Sequence, residues 1–119
     1  MGTTTGQFQE RLCNDITVTI DDGETVSSAA DISGTSLVAI DIPAGLEGTA
    51  MTFQVSSDDG TTFRTYKRMI DGASVTAVVG ANAAYATDPG DFAGYSHIKL
   101  VAGTAQTGDI TITLQTRPL

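Results

Sequence analysis

The sequence contains no tryptophan, one cysteine and one histidine. A single cysteine allows no internal disulfide, and a single histidine allows no histidine-rich metal site. Basic residues are scarce: six lysines and arginines stand against 14 acids, for a net charge of −8. That balance argues against a nucleic-acid groove, where phosphates would be repelled, and against docking on anionic lipid. The longest apolar run, around 81–86, is broken by Asn82, so no stretch is long enough to cross a membrane. The first residues lack the basic and apolar regions of a secretory signal. Synthesis in the cytoplasm is therefore expected, with Cys13 a reduced thiol.

Apolar residues make up 40% of the 119, too many for a disordered chain and enough for one small core. Their period is two. Ile16, Val18 and Ile20 alternate with threonines; so do Ile110, Ile112 and Leu114. That alternation marks strands covering a core on one side. Further strands are expected at 36–42, 50–56, 61–67, 74–79 and 97–101, rich in the Thr and Val that suit a pleated surface. The segment Leu37 to Ile42 is apolar enough to predict a central strand buried on both faces.

Turn signals separate these runs: Asp21-Asp22-Gly23, Ser33-Gly34, Pro43-Ala44-Gly45, Asp58-Asp59-Gly60, Asp71-Gly72, Asp88-Pro89-Gly90 and Gly103-Thr104. Glycine supplies positive φ, and Asp bonds to the backbone just ahead. No dozen residues show helical periodicity; Asp91 to Gly94 could form one helical turn. The expected fold is all-β: a single antiparallel β-sandwich, jelly-roll-like, of about eight short strands. It occupies residues 15–119. Residues 1–14 form an extended N-terminal arm with Phe8 and Leu12 as its only large apolar side chains. Such an arm cannot make its own core. It would lie on its own domain, a neighbouring copy or another partner, by strand addition or arm exchange. Deleting residues 1–12 is expected to weaken assembly while sparing the fold.

The candidate chemistry is sparse. Ser56, Asp58, Gly60 and Phe63 follow an S-x-D-x-G-x-x-F pattern that resembles the Asp-box hairpin of sialidases and related propellers. There Ser and Asp cap the turn and an aromatic ring packs beneath, so the expected role is structural. Acid clusters at Asp21, Asp22 and Glu24, at Asp58 and Asp59, and at Asp88 and Asp91 invite a calcium reading, but none follows an EF-hand series. Turn chemistry accounts for them without a metal. No acid pair stands out for glycosidase work, and Tyr66, Tyr85 and Tyr95 are few for a sugar platform. A Cys–His pair would require Cys13 and His97, and a Ser–His–Asp triad would also rest on His97; no nucleophile elbow or phosphate loop accompanies them. His97 is expected at a strand end. Arg64 and Arg68 are expected on one strand face with Lys67 opposite, a small cationic spot or a solvated face. No catalytic, cofactor-binding or metal residues are assigned.

One ordered series of pieces goes further. It runs through Ile16-Thr17-Val18-Thr19-Ile20, Leu37-Val38-Ala39-Ile40-Asp41-Ile42-Pro43-Ala44 and Met51-Thr52-Phe53-Gln54-Val55-Ser56 with Asp58 to Phe63. It closes with Asp88-Pro89, Phe92-Ala93-Gly94, His97-Ile98-Lys99-Leu100 and Thr111-Ile112-Thr113-Leu114. Over residues 15–119 this order resembles small virion structural proteins of tailed bacteriophages and prophages. Met51 stands where a Leu is expected. The resemblance implies a non-catalytic decoration or cement protein that binds the major capsid protein and stabilises the outside of the shell. It also implies a homo-oligomer, with a trimer the natural guess. Membership of a tail or head fibre, as a carbohydrate- or cell-surface-binding module, is the alternative. No site residues, cofactor, nucleic acid or membrane transfer with the resemblance.

Overall fold

The computed structural model describes residues 14–118. The expected arm and Cys13 lie outside them, apart from Asn14, which opens the first strand. The strands are β1 (Asn14–Ile20), β2 (Ala30–Asp31), β3 (Thr35–Ile42), β4 (Ala50–Ser56), β5 (Arg64–Thr65), β6 (Ala77–Val78), β7 (Ala83–Ala86), β8 (His97–Ala102) and β9 (Ile110–Pro118). One sheet has the order β1-β9-β3-β7. The other has β2-β8-β4-β5, with β6 also pairing β4. All these pairings are antiparallel. Every connection passes from one sheet to the other except those within β4-β5-β6, the wrapping order of a jelly roll. The chain is thus an all-β sandwich.

The alternating residues meet as their period requires. Ile16, Val18 and Ile20 stand opposite Leu114, Ile112 and Ile110. In the facing sheet Met51, Phe53 and Val55 stand opposite Ala102, Leu100 and Ile98. These inner faces form one buried cluster with Ile32, Leu37, Ile40, Ile42 and Phe92. On the outer face Thr17 and Thr19 face Thr113 and Thr111, and the Thr19 and Thr111 hydroxyls are 3.2 Å apart. Cross-strand threonine pairs of this kind add to sheet stability.

β3 corrects one expectation. It is central, between β9 and β7, but it is not buried on both faces: Asp41 is exposed and Val38 and Ala39 are half-buried. A two-layer sandwich covers each sheet on one side only. The apolar run reflects a bulge instead. Leu37 pairs with Thr116 and Ala39 with Gln115, leaving Val38 as the extra residue. Leu37 and Ile40 are three apart and would face opposite sides of a regular strand. The extra residue lets both reach the core.

The strand count of nine reflects a divided edge. The strands expected at 61–67 and 74–79 shrink to β5 and β6, which lie along the same side of β4. Between them the chain leaves the sheet as a hairpin. β2 and β7 were not foreseen: their sequences, AD and AAYA, carry little strand propensity. Partner strands β8 and β3 impose them. At the expected helical turn, residues 88–95 instead make two successive tight turns, with Asp91 N–H on Asp88 O and Tyr95 N–H on Phe92 O. They drive the Phe92 ring into the core.

One end of the sandwich is closed by Gln106, which is 2% exposed. Its Oε1 accepts Glu47 N–H at 2.9 Å, and its Nε2 donates to Glu47 O at 3.0 Å and Thr104 O at 2.8 Å. Its backbone accepts Gly23 N–H and donates to Glu24 O. Beside it Asp22 and Asp109 act reciprocally: Asp22 N–H bonds to Asp109 Oδ1, and Gly108 N–H to Asp22 Oδ1. Three loops are locked together by these groups.

Candidate docking surface

The capping motif at 56–63 builds the turn that its residues predicted. Ser56 Oγ donates to Asp58 Oδ1 at 2.7 Å and accepts Gly60 N–H at 3.0 Å. Asp58 Oδ1 also accepts Thr62 N–H at 2.8 Å. Asp59 and Gly60 both take positive φ. The Ser56 hydroxyl, then Thr62 N–H, hold the Asp58 carboxyl down at about 2. Lys99 Nζ sits 4.4 Å from the Phe63 ring centroid, and the His97 ring lies against Gly60.

His97 opens β8, as expected. Its Nδ1 is 3.0 Å from Ser96 Oγ. That hydroxyl accepts Asp59 N–H and lies 3.1 Å from its acceptor Ser56 O, joining the capped turn to β8. Asp31, opposite His97 in register, uses Oδ1 to accept Ser33 N–H. A pairing of His97 with Cys13 lies outside the described residues. The acid clusters do not converge: among the described residues no three His, Cys, Asp or Glu side chains are placed to hold an ion. Asp22, Asp58 and Asp88 each accept a backbone N–H instead. Burial, then the neighbouring Asp88 charge, raises the Asp91 carboxyl.

The cationic spot is arranged differently from its expectation. β5 ends at Thr65, so strand alternation does not reach Arg68. Arg64 and Lys67 line the same cavity, while Arg68 turns back to Asp71 at 2.7 Å. Arg64 and Lys67 form no ion pair among the described residues.

That cavity, of about 300 Å³, also takes in Val55, Asp58, Tyr66 and Tyr95. Two of the three tyrosines therefore meet, edge to face, with ring centroids 5.9 Å apart. Phe92 anchors them from below, 4.9 Å from Tyr66 and 5.1 Å from Phe53. Burial, then the Asp91 charge, raises the Tyr66 hydroxyl. Sequence reading could not place these rings together, because Tyr66 follows β5 while Phe92 and Tyr95 come from the 88–95 turns.

Above the tyrosines stands the hairpin. A Lys67–Ser74 bridge closes its base. Arg68 N–H bonds to Ala73 O, Gly72 N–H to Arg68 O, and Ala73 N–H to Asp71 Oδ1. Gly72 supplies the positive φ. This bracing holds Met69 and Ile70 at the tip, 102% and 91% exposed, with Val78 of β6 at 81%. They are the exposed large apolar side chains among the described residues, and all three belong to the divided edge. Covering each would contribute about 1.5–3 kcal/mol.

No family model matches the chain, and no curated protein sequence matches it. Solved structures do. SPBc2 prophage-derived protein YomS aligns with a TM-score of 0.55 at 12% identity, over 87% of this chain and 93% of that one. A structure described under Bacillus endospore appendages, a family of disulfide-linked pili, gives a TM-score of 0.40 at 14% identity, over 90% and 88%. The first likeness is one of fold; the second is too distant to bear on it.

Proposed function

We propose that this chain is a non-catalytic structural protein of a phage or prophage virion, which decorates and stabilises the capsid exterior by binding the major capsid protein as a homo-oligomer. The observation that carries an assembling role is the braced hairpin with Met69 and Ile70 wholly in solvent. Two adjacent large apolar side chains held out by a braced turn suit a protein contact. The phage setting is supported by the ordered series of motifs from residue 15 to 119. The fold shared with a prophage-derived protein is compatible with it. A ligand of the assembled lattice stabilises the shell by mass action, and repeated sites add avidity. The net charge of −8 keeps the chain off packaged DNA.

The test is to mix the purified chain with DNA-filled heads of a phage encoding it and image the particles. Density on the shell supports the reading; heads left bare at saturating protein overturn it. A second reading, a carbohydrate- or cell-surface-binding module on a tail or head fibre, is favoured by the meeting of Tyr66 and Tyr95 beside Arg64 and Lys67. Density on the tail and signal on a glycan array would support that reading instead.

A further inference from the structure

The cavity between the capped turn and the hairpin holds charge that the docking role does not use. Arg64 and Lys67 both line it, and neither forms an ion pair among the described residues. Asp58 shares the lining but is engaged by its own turn, where Oδ1 accepts from the Ser56 hydroxyl and from Thr62 N–H. Two cations thus line one cavity without a paired acid among the described residues, in a chain of net −8. Like charges on one wall repel, and a bound anion relieves the repulsion. A carboxylate suits both groups: a guanidinium holds it through two parallel hydrogen bonds, and an ammonium meets it as a point charge.

The rest of the lining suits a sugar ring. Tyr66 and Tyr95 belong to it, with ring centroids 5.9 Å apart, and Ser57, Thr62 and Thr65 add hydroxyl-bearing residues. The C–H groups of a pyranose carry partial positive charge and settle on the negative face of an aromatic ring. The cavity, of about 300 Å³, is at the small end of ligand sites. It continues into a wider hollow of about 670 Å³, which shares Tyr66, Lys67 and Tyr95 and extends to Arg68 and Asp91. There Arg68 is already paired with Asp71 and Asp91 adds negative charge, so a second ring would be neutral. An acidic peptide fits less well, because β5 is two residues long and offers its backbone almost no ladder to join.

We infer that this groove binds an acidic saccharide: a uronate-type sugar with its carboxylate at Arg64 and Lys67 and its ring at Tyr66 and Tyr95, followed by a neutral sugar toward Asp91. This inference rests on the sugar-binding reading given second above and names its ligand class. It does not depend on docking to the shell.

Calorimetric titration of the full chain tests it with three probes. They are cellobiouronate, a glucuronate joined to glucose; cellobiose, which has a hydroxymethyl group in place of the carboxylate; and tetraglutamate. Charge-assisted hydrogen bonds should give cellobiouronate an advantage of about tenfold or more over cellobiose, and added salt should narrow it. The double variant Arg64→Gln, Lys67→Gln should erase that advantage with an unchanged circular dichroism spectrum, since both side chains are exposed. Tyr95→Leu should weaken both disaccharides. Equal binding of the two disaccharides would overturn the acidic ligand and leave the sugar-binding reading standing. Binding of neither would overturn both. Binding of tetraglutamate without either sugar would assign the groove to an acidic peptide instead. An advantage that survives the double variant would place the site elsewhere and overturn this one. Binding to phage heads is a separate measurement, and none of these outcomes alters it.

Discussion

Replacing Gln106 by Ala should be among the costliest single changes at a residue outside the apolar core. The side chain makes three hydrogen bonds, to Glu47 N–H, Glu47 O and Thr104 O, and is 2% exposed. Each such bond is worth about 0.5–1.5 kcal/mol net, and truncation leaves the backbone partners without it. Water can re-enter a loop cluster, which recovers part of the loss. The expected destabilisation is about 2–4 kcal/mol, set against a total of about 5–15 kcal/mol for a domain. At roughly 4 °C per kcal/mol for a chain of this size, Tm should fall by about 8–16 °C. Urea denaturation gives the free energy, and amide exchange at Glu47 gives the location. Gln106→Glu sharpens the case. A carboxylate would set an oxygen against the carbonyls that Nε2 now meets, so it should be at least as damaging at neutral pH and partly relieved when protonated. A loss under about 1 kcal/mol for Gln106→Ala, with Glu47 protection unchanged, would refute the reasoning.

Two further outcomes follow from particular contacts. Gly34 and Gly48 both have positive φ, but an added Cβ meets nothing at Gly34 and lies 2.9 Å from Thr104 Oγ1 at Gly48. Gly34→Ala should cost about 1–2 kcal/mol from backbone conformation, and Gly48→Ala clearly more; equal urea midpoints would contradict this. Asp91→Asn should stabilise the protein at neutral pH. The Asp91 pKa is raised above 3.8 in the folded state, so its charged form opposes folding above the folded pKa, and the burden disappears below 3.8. Melting curves across that range should converge in acid, and a variant less stable than wild type at neutral pH would sink the argument.

Much of the fold was legible along the chain because a strand covering a core on one face must alternate. Ile16, Val18 and Ile20 and their partners in β9 announced themselves through that period, as did Met51, Phe53 and Val55 in β4. The Ser56–Asp58–Gly60 turn was legible because its bonds span four residues or fewer. β2 and β7 were not, since two or four alanine-rich residues become strands only when a neighbour supplies the ladder. The burial of Leu37 through Ile42 was misread because a bulge and a doubly buried strand produce the same apolar run.

The proposed docking surface divides in the same way. Composition and charge led to the expectation of no nucleic-acid groove, internal disulfide or histidine-rich metal site, and the order of motifs to the resemblance to virion proteins. Only the tertiary structure decided that β5 and β6 share one edge, that Met69 and Ile70 project from it, and that Tyr66 meets Tyr95. Gln106 belongs with them: nothing in its neighbours signals a buried clamp, because the Glu47 backbone that it holds lies 59 positions away. Local periodicity records which face of a strand is wet, whereas contacts between loops depend on how the sheets wrap, a property of the whole chain and of no single segment.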